Sequence, residues 1–311
     1  MNPHSPAAAA TSAPPGLFDH RMAVFGTDEE FLAAAVPFLT EGLRAPGEPA
    51  PTAITTPARL ALLADALGDR VALIDHTDWY TGSAANAVAR SAGHLARHAG
   101  AGGRAHLLME PDWSGRAGSS PRERTEWMRC ESLANLLFAA LSTTVLCGYD
   151  TRIAPPEVIA QARRAHPDTD AYEHPYRLTA ALDLVPLPAP PPDARDTTLD
   201  ALADAAADRG LAAPDARLFA AAVREAAGLL GGARRARLRV WGTAPACVAE
   251  LRATGRLGDP LAGFVPPPGP PAPEPGQGLW FTRQTCAYVD VRDTTDPDGT
   301  PVMTVRVQYG R

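Results

Sequence analysis

The sequence predicts an α/β protein in two parts: a doubly wound parallel sheet, then an α/β sandwich with helices on one side of a mixed sheet. Three observations carry this. Between Phe18 and about Leu178, short apolar runs alternate strictly with amphipathic helical segments, as in a parallel sheet whose crossovers are helices. Leu184 to Pro192 (LVPLPAPPP) interrupts the pattern with a stiff, proline-rich linker. Beyond it, helical segments come first and strand-like runs follow, closing on a hairpin.

Taken in order, Arg21 to Phe25 reads as a first strand, and Asp28 is placed to cap a helix through Phe31, Val36 and Leu39 to Gly42. Ala50 to Ile54 is a second strand, and Pro57 opens a helix carrying Leu60, Leu63 and Leu67. Val71 to Ile74 is a third strand, followed by a helix from about Ala84 to His98. Ala105 to Met109 gives a fourth strand, Glu123 to Ala140 a long helix, Val145 to Cys147 a fifth strand and Pro156 to His166 a further helix. In the second part, Thr198 caps a helix with Leu199, Leu202 and Ala206, and Asp215 caps another reaching Leu230. Strands are expected at Leu238 to Trp241 and Cys247 to Leu251, then a Pro/Gly-rich, lid-like loop from Phe264 to Pro275. A helix from about Leu279 and strands over Tyr288 to Arg292 and Val302 to Val307, joined by an Asp298-Gly299 turn, complete the chain. The expected division is a disordered tail over 1–16, a first domain over 17–180, a linker over 181–197 and a second domain over 198–311.

At 311 residues the chain is long enough for two domains with separate cores, and 45% hydrophobic with 21% charged residues is ordinary globular composition. Every Lys/Arg position is arginine, which with abundant Ala, Gly and Pro reflects coding bias rather than function. The net charge is -6, and the one basic cluster, Arg234-Arg235-Ala236-Arg237 with Arg239, reads as a solvated strand edge, so no nucleic-acid partner is expected. Cys130, Cys147, Cys247 and Cys286 are scattered among apolar neighbours, without CxxC pairs or histidines at zinc-ligand spacing; buried free thiols and no metal are expected. The Ala7 to Ala10 run lacks the features of a signal peptide, and no stretch approaches the roughly 20 apolar residues of a membrane span. The expected location is the cytoplasm.

In an open parallel sheet, ligands bind at the carboxyl ends of the strands. Those ends offer Asp75 and His76, Glu110 and Trp113, and Tyr149 and Asp150. The same acidic residues equally serve to cap helices or hold turns. No GxxxxGK[ST] loop follows a strand, and no Ser or Cys sits in a nucleophile elbow, so catalysis is not expected in this part.

Phe18-Asp19-His20, the segment from Glu29 through Leu43, Glu110-Pro111-Asp112-Trp113, and Glu131 with Asn135 form one set of signature residues. With Leu146-Cys147-Gly148-Tyr149-Asp150 and Ala162-Arg163-Arg164-Ala165-His166-Pro167, they resemble the MEDS sensory domain, a family named for methanogen and methylotroph regulators. The resemblance spans about 160 residues. It implies a RecA-like α/β fold that senses a small-molecule signal, with His20, Glu110, Trp113, Tyr149, Asp150 and His166 as the candidate ligand-binding residues.

MEDS domains are often followed by a GHKL ATPase domain of the anti-sigma-factor kinase type, and the C-terminal half resembles one, a GHKL-type α/β sandwich. The helix Leu218 to Leu230 stands where the family places Glu-x-x-x-Asn; Glu225 is present, but Leu229 occupies the Asn position and offers no oxygen to Mg²⁺. In Arg252-Ala253-Thr254-Gly255, Ala253 stands where an aspartate would bind adenine, and one residue is missing before Asp259-Pro260-Leu261-Ala262-Gly263. Gly276-Gln277-Gly278-Leu279 retains the loop that brings backbone N–H groups to phosphates. Gly255, Gly276 and Gly278 are thus the residual nucleotide loop, Glu225 is the catalytic candidate if the domain is active, and ATP/Mg is expected only in that case.

The leading expectation is a signal-responsive regulator whose kinase-like domain has lost phosphotransfer and binds a sigma factor or an anti-sigma antagonist. Its rival is an active anti-sigma serine/threonine kinase or sensor-histidine-kinase-like ATP-binding protein. A third reading is a ligand-binding module whose C-terminal half serves dimerisation.

Overall fold

The computed structural model describes residues 18–45, 47–98, 104–183, 187–231, 236–257, 262–265, 267 and 273–311. The expected tail over 1–16 lies outside them, as do residues 184–186 of the linker, Arg234 and Arg235, Asp259 to Leu261 and half of the Pro/Gly-rich loop.

Five strands, β1 (Phe18–Phe25), β2 (Thr52–Thr55), β3 (Ala72–Asp75), β4 (Ala105–Met109) and β5 (Thr143–Asp150), form a sheet in the order β1-β5-β4-β2-β3. Every pairing is parallel. Helices α1 (Asp28–Arg44) and α2 (Pro57–Leu67) pack Phe31, Phe38, Leu39 and Leu63 against Leu108 and Leu146 on one face. Beyond the short α3 (His76–Trp79), α4 (Ala84–His98), α5 (Pro121–Leu137) and α6 (Pro156–Ala165) cover the other face, meeting Leu107, Val145, Cys147 and Tyr149. Alternate residues of one strand thus feed two separate cores, which is why β4 and β5 read as continuous apolar runs rather than alternating ones. The chain steps outward from β1 to β3 along the first face and returns through β4 and β5 along the second, keeping its crossovers of one hand.

Local chemistry sets the helix starts. Thr27, not Asp28, caps α1: its hydroxyl accepts from the Glu30 N–H at 3.2 Å, and the Glu30 carboxylate reaches back to the Gly26 N–H at 2.6 Å. Asp28 lies one position inside and pairs with Arg152. Gly42 lets α1 approach β4 closely, since a Cβ there would lie 2.8 Å from the ring of His106. Helix α7 (Pro175–Asp183), which the sequence reading omits, packs against α5 and α6.

The second sheet joins β6 (Arg195–Thr197), β7 (Arg237–Trp241), β8 (Val248–Thr254), β9 (Tyr288–Thr295) and β10 (Pro301–Gln308) in the order β6-β7-β8-β10-β9. All of its pairings are antiparallel, which corrects the expected mixed sheet. The unexpected β6, inside the proline-rich segment, supplies the outer strand, and β9 and β10 turn on Gly299 at φ 86°. Helices α8 (Leu202–Ala207), α9 (Ala213–Leu229) and α10 (Leu279–Thr285) join the strands in one core, with Phe219 and Val223 among the buried residues that meet Leu251, Val291 and Val305. Helix α9 opens with Pro214 in its first turn and has no side-chain cap; Asp215, the expected cap, instead accepts from the Tyr309 hydroxyl at 2.8 Å.

The two sheets are joined by more than the linker. Arg122 of α5 makes a bidentate pair with Asp290 of β9, both bonds 2.9 Å, and the Tyr288 hydroxyl donates to Glu123 at 2.8 Å. At the start of α4, the Asn86 amide donates to the Gln284 side chain at 2.7 Å and its backbone carbonyl at 3.1 Å. Phe264 packs into the core beneath α4 and α5, with the buried Arg283 guanidinium 3.8 Å over its ring. No helix among the described residues is long and apolar enough to cross a membrane.

Candidate functional site

Two buried polar groups on the parallel sheet contain most of the residues expected at the site. The first lies at the carboxyl ends of the strands, where sequence reasoning places the ligand. Arg59 of α2, buried under the rings of Phe25 and Phe31 at 4.6 and 5.1 Å, bridges the carboxylates of Glu110 and Asp150. Thr55 donates its hydroxyl to Glu110, and Arg152 donates its backbone N–H and its guanidinium to Asp150 at 2.8 and 2.9 Å. Burial pushes the Asp150 carboxyl up, but the bonds from Arg152 and Arg59 outweigh it and hold that carboxyl below its usual range. Two carboxylates thus face two guanidiniums, and of the polar atoms in the group only Arg59 Nε is buried without a hydrogen-bond partner. Asp75 caps α3 through the Thr77 N–H at 2.8 Å, a structural role as well.

The second group lies on the α5 face. His20 on β1, Glu131 on α5, Cys147 on β5 and His166, the residue following α6, bring one ligating atom each within 4.8 Å of one another. The His20 Nε2 atom is 3.3 Å from Cys147 Sγ and 3.4 Å from Glu131 Oε1; His166 Nε2 is 3.1 Å from the same Glu131 oxygen. The Tyr149 hydroxyl donates to that oxygen at 2.9 Å. Burial pushes the Glu131 carboxyl up, yet the hydrogen bonds and charges of His166 and His20 overcome it and hold it well below the usual range. Burial, then repulsion from His166, lowers His20. Burial acts in the same sense on His166, but the Glu131 carboxylate outweighs it and raises that imidazole. Of the two imidazoles, His166 is therefore held the more basic. Burial, then Glu131, pushes the Cys147 thiol well up.

This group closes one end of a cavity of about 70 Å³, room for about five waters. His20, Glu131 and Cys147 supply its polar end, and Phe18, Tyr80, Val88, Leu95, Trp127 and Phe138 are among the residues that make its walls largely apolar. Helices α4 and α5 both line it, and Ala84 and Cys130 also border a smaller cleft against Arg283, Cys286 and Val289 of the C-terminal half.

The six residues expected to bind ligand therefore separate. Glu110 and Asp150 belong to the Arg59 group; His20, Tyr149 and His166 surround Glu131; Trp113 is buried in the same core, its ring 6.3 Å from that of Tyr149. Arg59 and Cys147 as site members are absent from that set, and so is Glu131, whose spacing to Asn135 marks a helix face that turns toward the two histidines. All four cysteines are free and buried.

In the C-terminal half, Glu225 on α9 accepts from the Gly276 N–H at 2.7 Å and the Gly278 N–H at 2.9 Å. Both glycines have positive φ, 100° and 62°, a loop conformation that aims successive N–H groups at one point. The carboxylate occupies that point. Leu229 ends α9, and Ala253 on β8 is buried against the core. Gly255 follows β8 with its N–H on the Pro301 carbonyl at 3.0 Å.

A buried, mixed acid–base group bordering a largely apolar cavity, on the flank of a parallel sheet, is an arrangement that can hold a small molecule. Residues 19–167 match the family model described as MEDS: MEthanogen/methylotroph, DcmR Sensory domain, which supports a signalling role for this half. No curated protein and no solved structure matches the chain.

Proposed function

We propose that the chain is a signal-responsive regulator. A RecA-like sensory domain over 17–180 holds a small, largely apolar ligand with one hydrogen-bonding end, and a GHKL-type domain over 198–311 binds a protein partner. The observation that carries this reading is that α4 and α5 wall the cavity and also form the contact with α10 and β9. A ligand that displaces either helix bears directly on the Asn86–Gln284 and Arg122–Asp290 bonds. The partner class, a sigma factor or an anti-sigma antagonist, follows from the kinase-like resemblance.

Three features support loss of phosphotransfer in the second domain: Leu229 and Ala253 supply neither metal nor adenine contacts, and Glu225 fills the anion seat of the Gly276–Gly278 turn. An internal carboxylate there competes with any phosphate by charge and by occupancy. The rival, an active anti-sigma serine/threonine kinase, is favoured by the retained turn itself and requires Glu225 to swing away.

The test is hydrogen exchange on the whole chain with and without cyclopentanol, a probe of the cavity's size and polarity, alongside calorimetry with Mg-ATP. The expected result is changed protection in α4, α5 and α10 together, and no heat of ATP binding. Changes confined to α4 and α5 would sink the coupling. Micromolar ATP binding with phosphotransfer lost in Glu225→Gln would establish the rival.

A further inference from the structure

We propose that His20, Glu131, Cys147 and His166 form a site for one divalent transition-metal ion, best matched by Zn²⁺. Four residues of zinc-ligating types come from β1, α5, β5 and the C-cap of α6 to one buried point, and their ligating atoms lie within 4.8 Å of one another. Bonds of about 2.0–2.3 Å to N, O and S place the corners of a tetrahedron about 3.3–3.7 Å apart. The separations of 3.3 and 3.4 Å fall at that spacing and the third, 3.1 Å, lies just inside it.

Orientation is the stronger argument. The Asn135 side-chain NH₂ is committed to the Ala165 carbonyl at 2.7 Å, which turns Asn135 Oδ1 toward His20 Nδ1 at 3.2 Å. His20 Nδ1 must therefore carry the hydrogen, leaving the Nε2 lone pair facing Glu131 and Cys147. His166 Nδ1 likewise faces a carbonyl, that of Ala162 at 2.7 Å, so its Nε2 points to the same centre, where it is buried without a well-formed hydrogen bond. Each imidazole is thus held by an outer partner in the tautomer a metal requires, the usual second shell of a metal histidine. Two imidazoles, a carboxylate and a thiolate together carry two negative charges, which one divalent ion cancels in a site almost closed to water. With four protein ligands the ion would tie β1, β5, α5 and the end of α6 together and floor the cavity. Local spacing hides the set, because its successive members lie 111, 16 and 19 residues apart in sequence and no two share a helical turn.

A proton held between His166 and Glu131 is the competing way to separate the same acceptors, and Co²⁺ distinguishes the two. The full-length chain is stripped with chelator and titrated with Co²⁺. The expected result is one equivalent bound, with the intense visible bands of tetrahedral cobalt and a thiolate-to-cobalt charge-transfer band. Cys147→Ser removes the charge-transfer band; Cys130→Ser, at another buried thiol lining the same cavity, keeps it. Asn135→Leu keeps the band but weakens affinity about 10- to 100-fold. Absence of tetrahedral bands in the unaltered chain overturns the site, and does so whether or not Cys147→Ser folds; a full charge-transfer band in folded Cys147→Ser overturns it too. Cobalt binding and cavity-probe binding are read separately, so failure of one leaves the other standing.

Discussion

At the carboxyl end of β5, Asp150 meets Arg59 and Arg152; three residues earlier on the same strand, Cys147 meets His20. The first group pairs fixed charges of opposite sign, packs its central guanidinium under two aromatic rings and leaves only Arg59 Nε without a hydrogen-bond partner. The second gathers groups that titrate or ligate, aims their acceptors at one another and borders a cavity. Both are buried, and burial alone does not separate structural from functional polar groups. What separates them is whether the partners cancel. A group of fixed, mutually paired charges holds the fold, and titratable, ligating side chains that share a cavity wall are where we propose that a ligand binds.

Substitutions should divide along that line. The largest effect is expected for Arg59→Met, which leaves Glu110 and Asp150 buried without their shared cation and costs about 3–5 kcal/mol in urea unfolding. Folded Arg59→Met should still bind a cavity probe, because Arg59 does not line the cavity. Glu131→Gln removes a charge that His166 and Tyr149 address, at about 2 kcal/mol, and here probe binding should fall as well. If Arg59→Met lost the probe and Glu131→Gln kept it, the roles would be reversed.

Smaller effects test how the cavity communicates. Arg122→Ala breaks the bidentate pair with Asp290, partly exposed on the Arg122 side, for about 1 kcal/mol. Its signature should be faster amide exchange in β9 with little change in β1 or β5. The smallest effect at neutral pH concerns His94 on α4, whose imidazole is pushed down to about 4, mainly by burial and then by His98 and Arg97. The unfolded chain takes up that proton near pH 6.5, so between about 6.5 and 4 the unfolded state binds more protons and stability falls as pH falls. His94→Gln should flatten that part of the urea midpoint against pH; an unchanged slope would remove His94 from the account.

Much of the first sheet was legible. The apolar runs at 71–74 and 105–109, and Pro57 and Pro156, mark elements by local chemistry, and α4 and β4 fall at their expected bounds, whereas the cap of α1 is Thr27, one residue before the Asp28 expected. The antiparallel second sheet was less so, since β6 is three residues inside a proline-rich stretch and only its pairing with β7 makes it a strand. Within the site, strand-end logic found Glu110 and Asp150 but assigned them to a ligand, because the arginine that satisfies them lies on α2, 51 residues before Glu110. The His20–Glu131–Cys147–His166 group depends on β1 pairing with β5 across more than a hundred residues, a register that local periodicity does not encode. In the C-terminal half, the Gly276–Gly278 turn was readable, whereas its occupation by Glu225 needed the packing of α9 against α10.

The most direct measurement is the thermal shift produced by cyclopentanol in the unaltered chain and in Ala87→Phe, which places a ring in the cavity from α4. The probe is expected to raise the midpoint of the unaltered chain in proportion to log concentration above its Kd, and to leave Ala87→Phe unmoved. An equal shift in both, or none in the unaltered chain, would contradict the claim that this cavity is where the protein holds its signal.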